Sequence, residues 1–356
     1  MSLSRRSALG ALAGLSITAV AMAAPGGSAQ AARSSATKTT VTGAQGQWRA
    51  RTPMPQARGE VGAAVLDGRL YVVGGTLQQD DSAPVWASDV VTGYDPRTDR
   101  WSTHAPLPRP LTHVAMAALG GRLYAIAGFT DAVHLNPQPV AYVYDPAADQ
   151  WSRLPDLPEK LGSVAVAAVD GRLHVIGGRD SRSVVTIADP PISLGYGTVN
   201  SHFVYDPRLR RWSTARRLPG EARDHVGVAV LGCDIHVFGG RVADVTDNLP
   251  RHDVYHTRTG RWSTAAPLPV PRSAGAAVVL DGRIVYAGGE CGSGGDTFGD
   301  VTVYDPASDR WSAGSPLPQS RHGFGAGAVR GRAYFAAGAP TCGGGASKDI
   351  LELRLS

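Results

Sequence analysis

Residues 63–75 read AAVLDGRLYVVGG, and residues 93–101 read GYDPRTDRW. In the first stretch two short apolar segments flank Asp67-Gly68. That dipeptide suits a two-residue type I′ hairpin turn, in which both central residues need positive φ. The second stretch joins a tyrosine strand to a tryptophan strand through Asp-Pro and a polar turn. Both recur. The hairpin returns as MAALGGRLYAIAG, VAAVDGRLHVIGG, AVLGCDIHVFGG, AVVLDGRIVYAGG and GAVRGRAYFAAG, and the second unit as VYDPAADQW, VYDPRLRRW, VYHTRTGRW and VYDPASDRW. Gly232-Cys233, in the fourth hairpin, fits a type II′ turn, with glycine in the first central place.

Six tryptophans, Trp48, Trp101, Trp151, Trp212, Trp262 and Trp311, mark a period close to fifty residues. Each period holds four strands, and such a sheet cannot bury both faces alone. Radial packing of several twisted sheets solves this, and the small residues Gly62-Ala63-Ala64, Ala165, Ala167 and Gly325-Ala326-Gly327 suit a crowded axis. The diglycines at 74–75, 177–178, 239–240 and 288–289, with Tyr and Trp at set distances, resemble the kelch repeat over about 46–355. Ala127-Gly128 and Ala337-Gly338 replace the double glycine in two copies. The resemblance, to kelch proteins of the secreted bacterial type, implies an all-β, six-bladed β-propeller over 46–356. The chain enters at a fourth strand near Trp48 and leaves after a third strand, Asp349 to Leu355, so its two ends complete one blade.

Connections from strand 2 to strand 3 and from strand 4 to the next blade then share one face, which carries the variable loops, the longest from Arg179 to Phe203. On that face one equivalent position is Arg58, Leu111, Leu161, Arg223, Arg272 and Arg321. Two residues on come Glu60, His113, Ser163, His225, Ala274 and Gly323. Hairpin register sets the position between these rings opposite the residue after each diglycine: Gly59/Thr76, Thr112/Phe129, Gly162/Arg179, Asp224/Arg241, Ser273/Glu290 and His322/Ala339. Arg58, Arg223, Arg272 and Arg321, with Arg179 and His225, are expected to converge on a carboxylate-bearing ligand, because guanidinium forks match carboxylates. The competing reading pairs these arginines with local acids such as Asp224, Glu290 or Asp244. Trp86 and Phe129 are candidates to stack on a sugar or peptide.

For catalysis, Glu60 and His113 occupy equivalent places on adjacent blades, so either an acid–base pair or a hydrogen-bonded surface pair fits; Glu290, beside Arg272, is another candidate acid. The resemblance implies two roles: kelch propellers that bind acidic peptides use arginines at this point of the repeat, and some secreted six-bladed kelch proteins epimerise sialic acid. Galactose oxidase also carries kelch repeats, but Tyr255-His256 lacks the further ligands a copper site needs. No HExxH, paired CxxC, GK[ST] or GxSxG occurs, and no metal or cofactor is expected. The leading expectation is a monomeric binding module for an acidic protein, peptide or anionic glycan. The alternatives are an enzyme of carbohydrate epimerase or mutarotase type acting on an acidic sugar, and a cell-surface scaffold.

Composition agrees with a turn-rich globular chain: 44 glycines and 25 prolines among 356 residues, 43% hydrophobic and 18% charged. Net charge is +5 without a run of four Lys/Arg, which disfavours nucleic acid. Residues 1–31 hold no acid, an Arg5-Arg6 pair, an apolar stretch from Ala8 to Ala24 and the small-residue site Ala29-Gln30-Ala31. They read as a signal peptide, with Ser4-Arg5-Arg6 similar to a twin-arginine motif, followed by a flexible linker over 32–45. A secreted or extracytoplasmic protein with no membrane span after leader removal is expected. In such a compartment Cys291 and Cys342, in loops of adjacent blades, are expected to form a disulfide, leaving Cys233 over.

Overall fold

Two-residue turns close all six hairpins. Both central residues have positive φ at Asp67-Gly68 (50° and 72°), whereas at Gly232-Cys233 only the glycine does (62°). The structure, a computed structural model, describes residues 46–77, 86–131, 134–187, 192–292 and 294–355. The expected leader over 1–31 and linker over 32–45 lie outside them.

Each hairpin continues into the tyrosine and tryptophan strands, giving six four-stranded antiparallel sheets. Blade 1 comprises Gly62–Leu66, Arg69–Val73, Val91–Asp95 and Arg100–His104. Blades 2 to 5 run over 115–153, 165–214, 227–264 and 276–313. Blade 6 takes Gly325–Val329, Arg332–Ala336 and Ile350–Leu355 from one end of the chain and Gly46–Ala50 from the other, with Gly46 opposite Leu355 and Ala50 opposite Leu351. First strands of successive blades neighbour one another around an axis, closing a six-bladed β-propeller. The crowding is real: a Cβ on Gly325 would lie 2.3 Å from Ala63 Cβ, and one on Gly327 2.4 Å from Val65.

Two sets of hydrogen bonds stitch blade to blade. Every repeat tryptophan donates its indole N–H to a backbone carbonyl of the preceding blade's exit: Trp48 to Ser315, Trp101 to Thr52, Trp151 to Ala105, Trp212 to Pro155, Trp262 to Arg216 and Trp311 to Ala266, all at 2.8–3.0 Å. Every glycine that ends the GG or AG pair donates its N–H to the next blade: Gly75 to Leu111, Gly128 to Leu161, Gly178 to Arg223, Gly240 to Arg272, Gly289 to Arg321 and Gly338 to Arg58, at 2.9–3.2 Å. The preceding glycine makes room for this, since a Cβ on Gly74 would stand 2.4 Å from Leu111 O. Between the sheets lie apolar clusters such as Tyr71, Val73, Leu123, Tyr144 and Trp151.

Blades 3 and 4 depart from the others in one respect. Where blades 1, 2 and 6 carry Tyr71, Tyr124 and Tyr334, and blade 5 carries Val285, they bury His174 and His236. Each places Nδ1 2.9 Å from Nε2 of a second buried histidine, His202 and His252. Burial pushes His174, His202 and His236 down to about 4, and lowers His252.

Two outcomes follow from this architecture. The four histidines are neutral when folded and take up protons on unfolding, so their contribution is intact above about pH 6.5 and is lost as pH falls towards 4. Urea unfolding at pH 4.5 is expected to show stability lower than at pH 7, by roughly 2 kcal/mol for each histidine lowered to about 4. His174→Tyr/His202→Val, copying Tyr71 and Val91 of blade 1, should flatten the profile. Deleting 46–50 uncovers the edge of Ile350–Leu355 and removes the Trp48 stitch; an unchanged melting temperature for that truncated chain would refute the closure.

Candidate functional site

The four arginines expected to line a mouth do not line one: Arg58, Arg223 and Arg272 are 0% exposed and Arg321 2%. Each runs outward over the end of its own blade and ties strand 2 or its approach to strand 3. Arg58 donates to the carbonyls of Gly74, Val90 and Val72 and to Thr92 Oγ1. Arg272 donates to Tyr286 O and Thr302 Oγ1, Arg223 pairs with Asp253 at 2.6 Å, and Arg321 with Asp349 at 2.9 Å. Burial without a bonded carboxylate pushes Arg58 down to about 10 and lowers Arg272 as well. The repeat holds the signal for this role. Arg58, Arg272 and Arg223 face Thr92, Thr302 and Asp253 at one position of strand 3. Leu111 and Leu161, which replace arginine, share apolar clusters with Tyr142 and Phe203 at that same position. In blades 1 to 5 polar meets polar and apolar meets apolar, so the position belongs to the blade's interior; in blade 6 Leu351 stands there and Arg321 turns to Asp349.

The ring two residues on does face the axis. Glu60, His113, Ser163, His225, Ala274 and Gly323 all hold positive φ, between 49° and 60°. This conformation turns their peptide groups tangentially. His113 N donates to Glu60 O, His225 N to Ser163 O, Ala274 N to His225 O, Gly323 N to Ala274 O and Val61 N to Gly323 O, a backbone collar around the channel. A left-handed non-glycine residue costs on the order of 1 kcal/mol, and the collar compensates it. The six bridges between the intermediate ring and the residue after each glycine pair, Gly59/Thr76 through His322/Ala339, are all present.

Collar and bridges bring together a buried polar cluster. Glu60 sits between His113 Nε2 at 3.1 Å and His322 Nε2 at 3.0 Å. His322 lies 3.5 Å from Glu290, which pairs with Arg241. Arg241 reaches Asp224 at 3.4 Å, and Asp224 also holds Arg179 at 2.6 Å and His225 Nδ1 at 2.6 Å. Asp224 and Arg241 thus pair within blade 4 while each also serves a neighbour. Glu290, expected beside Arg272, belongs instead to Arg241 and His322, because the collar turns it inward while Arg272 runs outward. His134, from the strand 2–3 loop of blade 2, packs edge-on against His113, His225 and Phe129. Sequence reading missed His134 and His322 as members; the register pair His322/Ala339 was a visible clue to the second.

Burial opposes ionisation of Glu60, but His113 and His322 outweigh it and hold its carboxyl well below the usual range. Burial likewise penalises His322, yet Glu290 and Glu60 raise it. Burial and the neighbouring cations push His225 down to about 4 and His134 well below its ordinary value. The arrangement therefore sets the Glu60 carboxylate against an imidazole, His322, whose charged form the neighbouring carboxylates favour.

Phe129 is 0% exposed, so it packs the site rather than offering a stacking face. A Cβ on Gly162 would meet its ring at 2.2 Å, which shows how tightly it is held. Trp86 lies on a short strand pairing with Leu77. Arg179–Ile187 and Ile192–Thr198 form an antiparallel hairpin from the longest loop. At its foot is a cleft of about 620 Å³ lined by Glu159, Lys160, Asp180, Arg182, Asn200 and Arg217. Cys291 and Cys342 are bonded, with Cα atoms 5.4 Å apart, tying the loops of blades 5 and 6; Cys233 is free in its turn. His256 bonds Asp234 and Ser263 on the outer part of blade 4, apart from the axial cluster.

Comparison with known proteins places kelch motifs in this chain. Profiles described as the kelch motif match residues 110–158 and 271–318, and 57–108, which are blades 2, 5 and 1. Beta-scruin of Limulus polyphemus is 35% identical over 94 residues, 26% of this chain and 10% of that protein. Kelch-like protein 9 of Mus musculus is 37% identical over 89 residues, 25% of this chain and 14% of that one. Kelch-like protein terF of Aspergillus terreus is 27% identical over 251 residues, 65% of this chain and 50% of its own length. The chain thus spans half or less of these relatives. A solved structure titled "Structure of YjhT" superposes with a TM-score of 0.68 over 84% of this chain and 95% of that one, at 15% identity, and shares the fold.

The tether role of the arginines predicts a specific pair of results. Arg272→Leu strands Tyr286 O and Thr302 Oγ1, and chemical denaturation should show a loss of about 2–4 kcal/mol. Arg272→Leu/Thr302→Phe, which copies Leu161 and Phe203 of blade 3, should recover most of that loss; a double variant as unstable as the single one contradicts the assignment.

Proposed function

We propose that this kelch-motif propeller is an exported binding module that takes an acidic protein segment or anionic glycan on its loop face. The contact lies in the cleft beneath the blade 3 hairpin rather than on the buried arginines. One observation carries the reading: exposed Lys160 and Arg217 meet no carboxylate among the described residues, Arg217 bonding only Asn200 Oδ1 at 3.0 Å. Arg182, held by Asp180, adds a third cation. A loop standing on a rigid ring is where recognition residues concentrate, and guanidinium with ammonium suits a carboxylate partner. Export is supported by the leader-like residues 1–31 and by the Cys291–Cys342 bond, since disulfides persist in oxidising compartments.

The axial cluster favours a second reading, an enzyme moving a proton on an acidic sugar. Glu60, with 14% of its side chain exposed, is the candidate base and His322, 3.0 Å away, the candidate acid. Glu60→Gln would then abolish solvent exchange or epimer interconversion followed by NMR on acidic monosaccharides.

The binding proposal is tested with the purified chain against acidic peptides and anionic glycans at low and high salt. Lys160→Glu/Arg217→Glu should weaken binding by at least about tenfold and reduce its salt dependence, as expected of exposed charges. Binding that survives the double reversal unchanged would reject the cleft.

A further inference from the structure

We propose that His113, His134 and His225 form a binding site for one transition-metal ion of the Zn(II), Co(II), Ni(II) or Cu(II) class. The three imidazoles come from separate segments: His113 and His225 from the collar in blades 2 and 4, and His134 from the loop of blade 2. Their ring centroids lie 4.8, 5.1 and 5.1 Å apart. One nitrogen from each ring falls within 4.8 Å of the other two. A cation at their centre therefore stands no more than about 2.8 Å from each, and movements of about 0.7 Å bring all three to the roughly 2.1 Å of a metal–imidazole bond.

The surroundings of two of the rings match what such ligands need. His225 Nδ1–H donates to buried Asp224 at 2.6 Å, which leaves Nε2 with a lone pair engaged only at 3.2 Å by Ser163 Oγ and 3.3 Å by Arg241 Nη2. His113 Nε2–H donates to Glu60 at 3.1 Å, leaving Nδ1 to accept from the Thr112 hydroxyl at 2.9 Å. A carboxylate on one imidazole nitrogen fixes the tautomer, orients the ring and raises the basicity of the other nitrogen. His134 is anchored through its main chain, whose carbonyl accepts from the Ser181 hydroxyl, while its ring packs against the rings of Phe129, His113 and His225. Arg179 and Arg241, whose charges reach His134, are themselves paired with Asp224 and Glu290. Three imidazoles select borderline metals over calcium or magnesium, which take oxygen ligands. The disulfide leaves Cys291 and Cys342 without thiolates, so they offer no rival site beside Glu290.

The test uses the full mature chain without an affinity tag, stripped with chelator and titrated with Co(II) and Zn(II) by calorimetry and absorption. One equivalent is expected to bind, with Co(II) giving visible ligand-field bands and Zn(II) raising the melting temperature. His134→Ala, in the strand 2–3 loop of blade 2, should weaken binding by at least about tenfold and erase the bands, while His256→Ala leaves both intact. His113→Gln and His225→Gln should act as His134→Ala does where their apo melting temperatures match the parent. Absence of stoichiometric binding of both Co(II) and Zn(II), or binding that His134→Ala leaves unchanged, overturns the site and marks the trio as aromatic packing.

Discussion

Six backbone N–H groups, each on the glycine that ends a strand 2, reach across to the carbonyl at the foot of the next blade. The rest of the molecule depends on that clasp. It requires two residues at positive φ in succession, the first no larger than alanine in any of the six blades. The pair is glycine in four blades; Ala127 and Ala337 adopt φ of 58° and 71° in the other two. Because the carbonyl belongs to the residue that is Arg58, Leu111, Leu161, Arg223, Arg272 or Arg321, the clasp fixes that residue's backbone. Its side chain is then directed outward into the blade. The indole stitches repeat the same logic at larger radius, and the bond from Trp48 to Ser315 makes the last blade equivalent to the others.

The clasp also explains why the axial opening is polar and crowded. Fixing one residue of the approach leaves the residue two on to pass its peptide group round the collar, which sends Glu60, His113, Ser163 and His225 towards the axis. Those side chains meet the residues that follow each glycine pair, among them Arg179, Arg241 and Glu290. Carboxylates, guanidiniums and imidazoles then neutralise one another where water is scarce. Breaking one partner of such a network leaves the other buried and unpaired, which is why it holds together. Exposed cations such as Lys160 and Arg217 lie at the foot of the blade 3 hairpin.

Much of this was legible in the chain. The turn dipeptides, the tryptophan period and the mixed origin of the last blade follow from local chemistry and counting, and the six register pairs follow from hairpin geometry alone. The direction of the arginines was not read, although the blades record it: where Leu111 and Leu161 replace arginine, Tyr142 and Phe203 replace Thr or Asp across the sheet. His134 could not be placed, since it lies in a loop outside the repeat. His322 could be placed in register but not paired, because its partner Glu60 is some 260 residues away in sequence and meets it only when the ring closes.

Sequence by itself determined the number of blades, their strand order and their turns, because each depends on contacts within about fifty residues that every repeat makes again; the way the two ends share a sheet follows from counting strands in that same repeat. Tertiary structure alone decided which charged side chains are interior ties and which meet at the axis. Those outcomes depend on left-handed collar residues and on neighbours from other blades, and a periodic sequence assigns equivalent positions without saying which way each side chain turns.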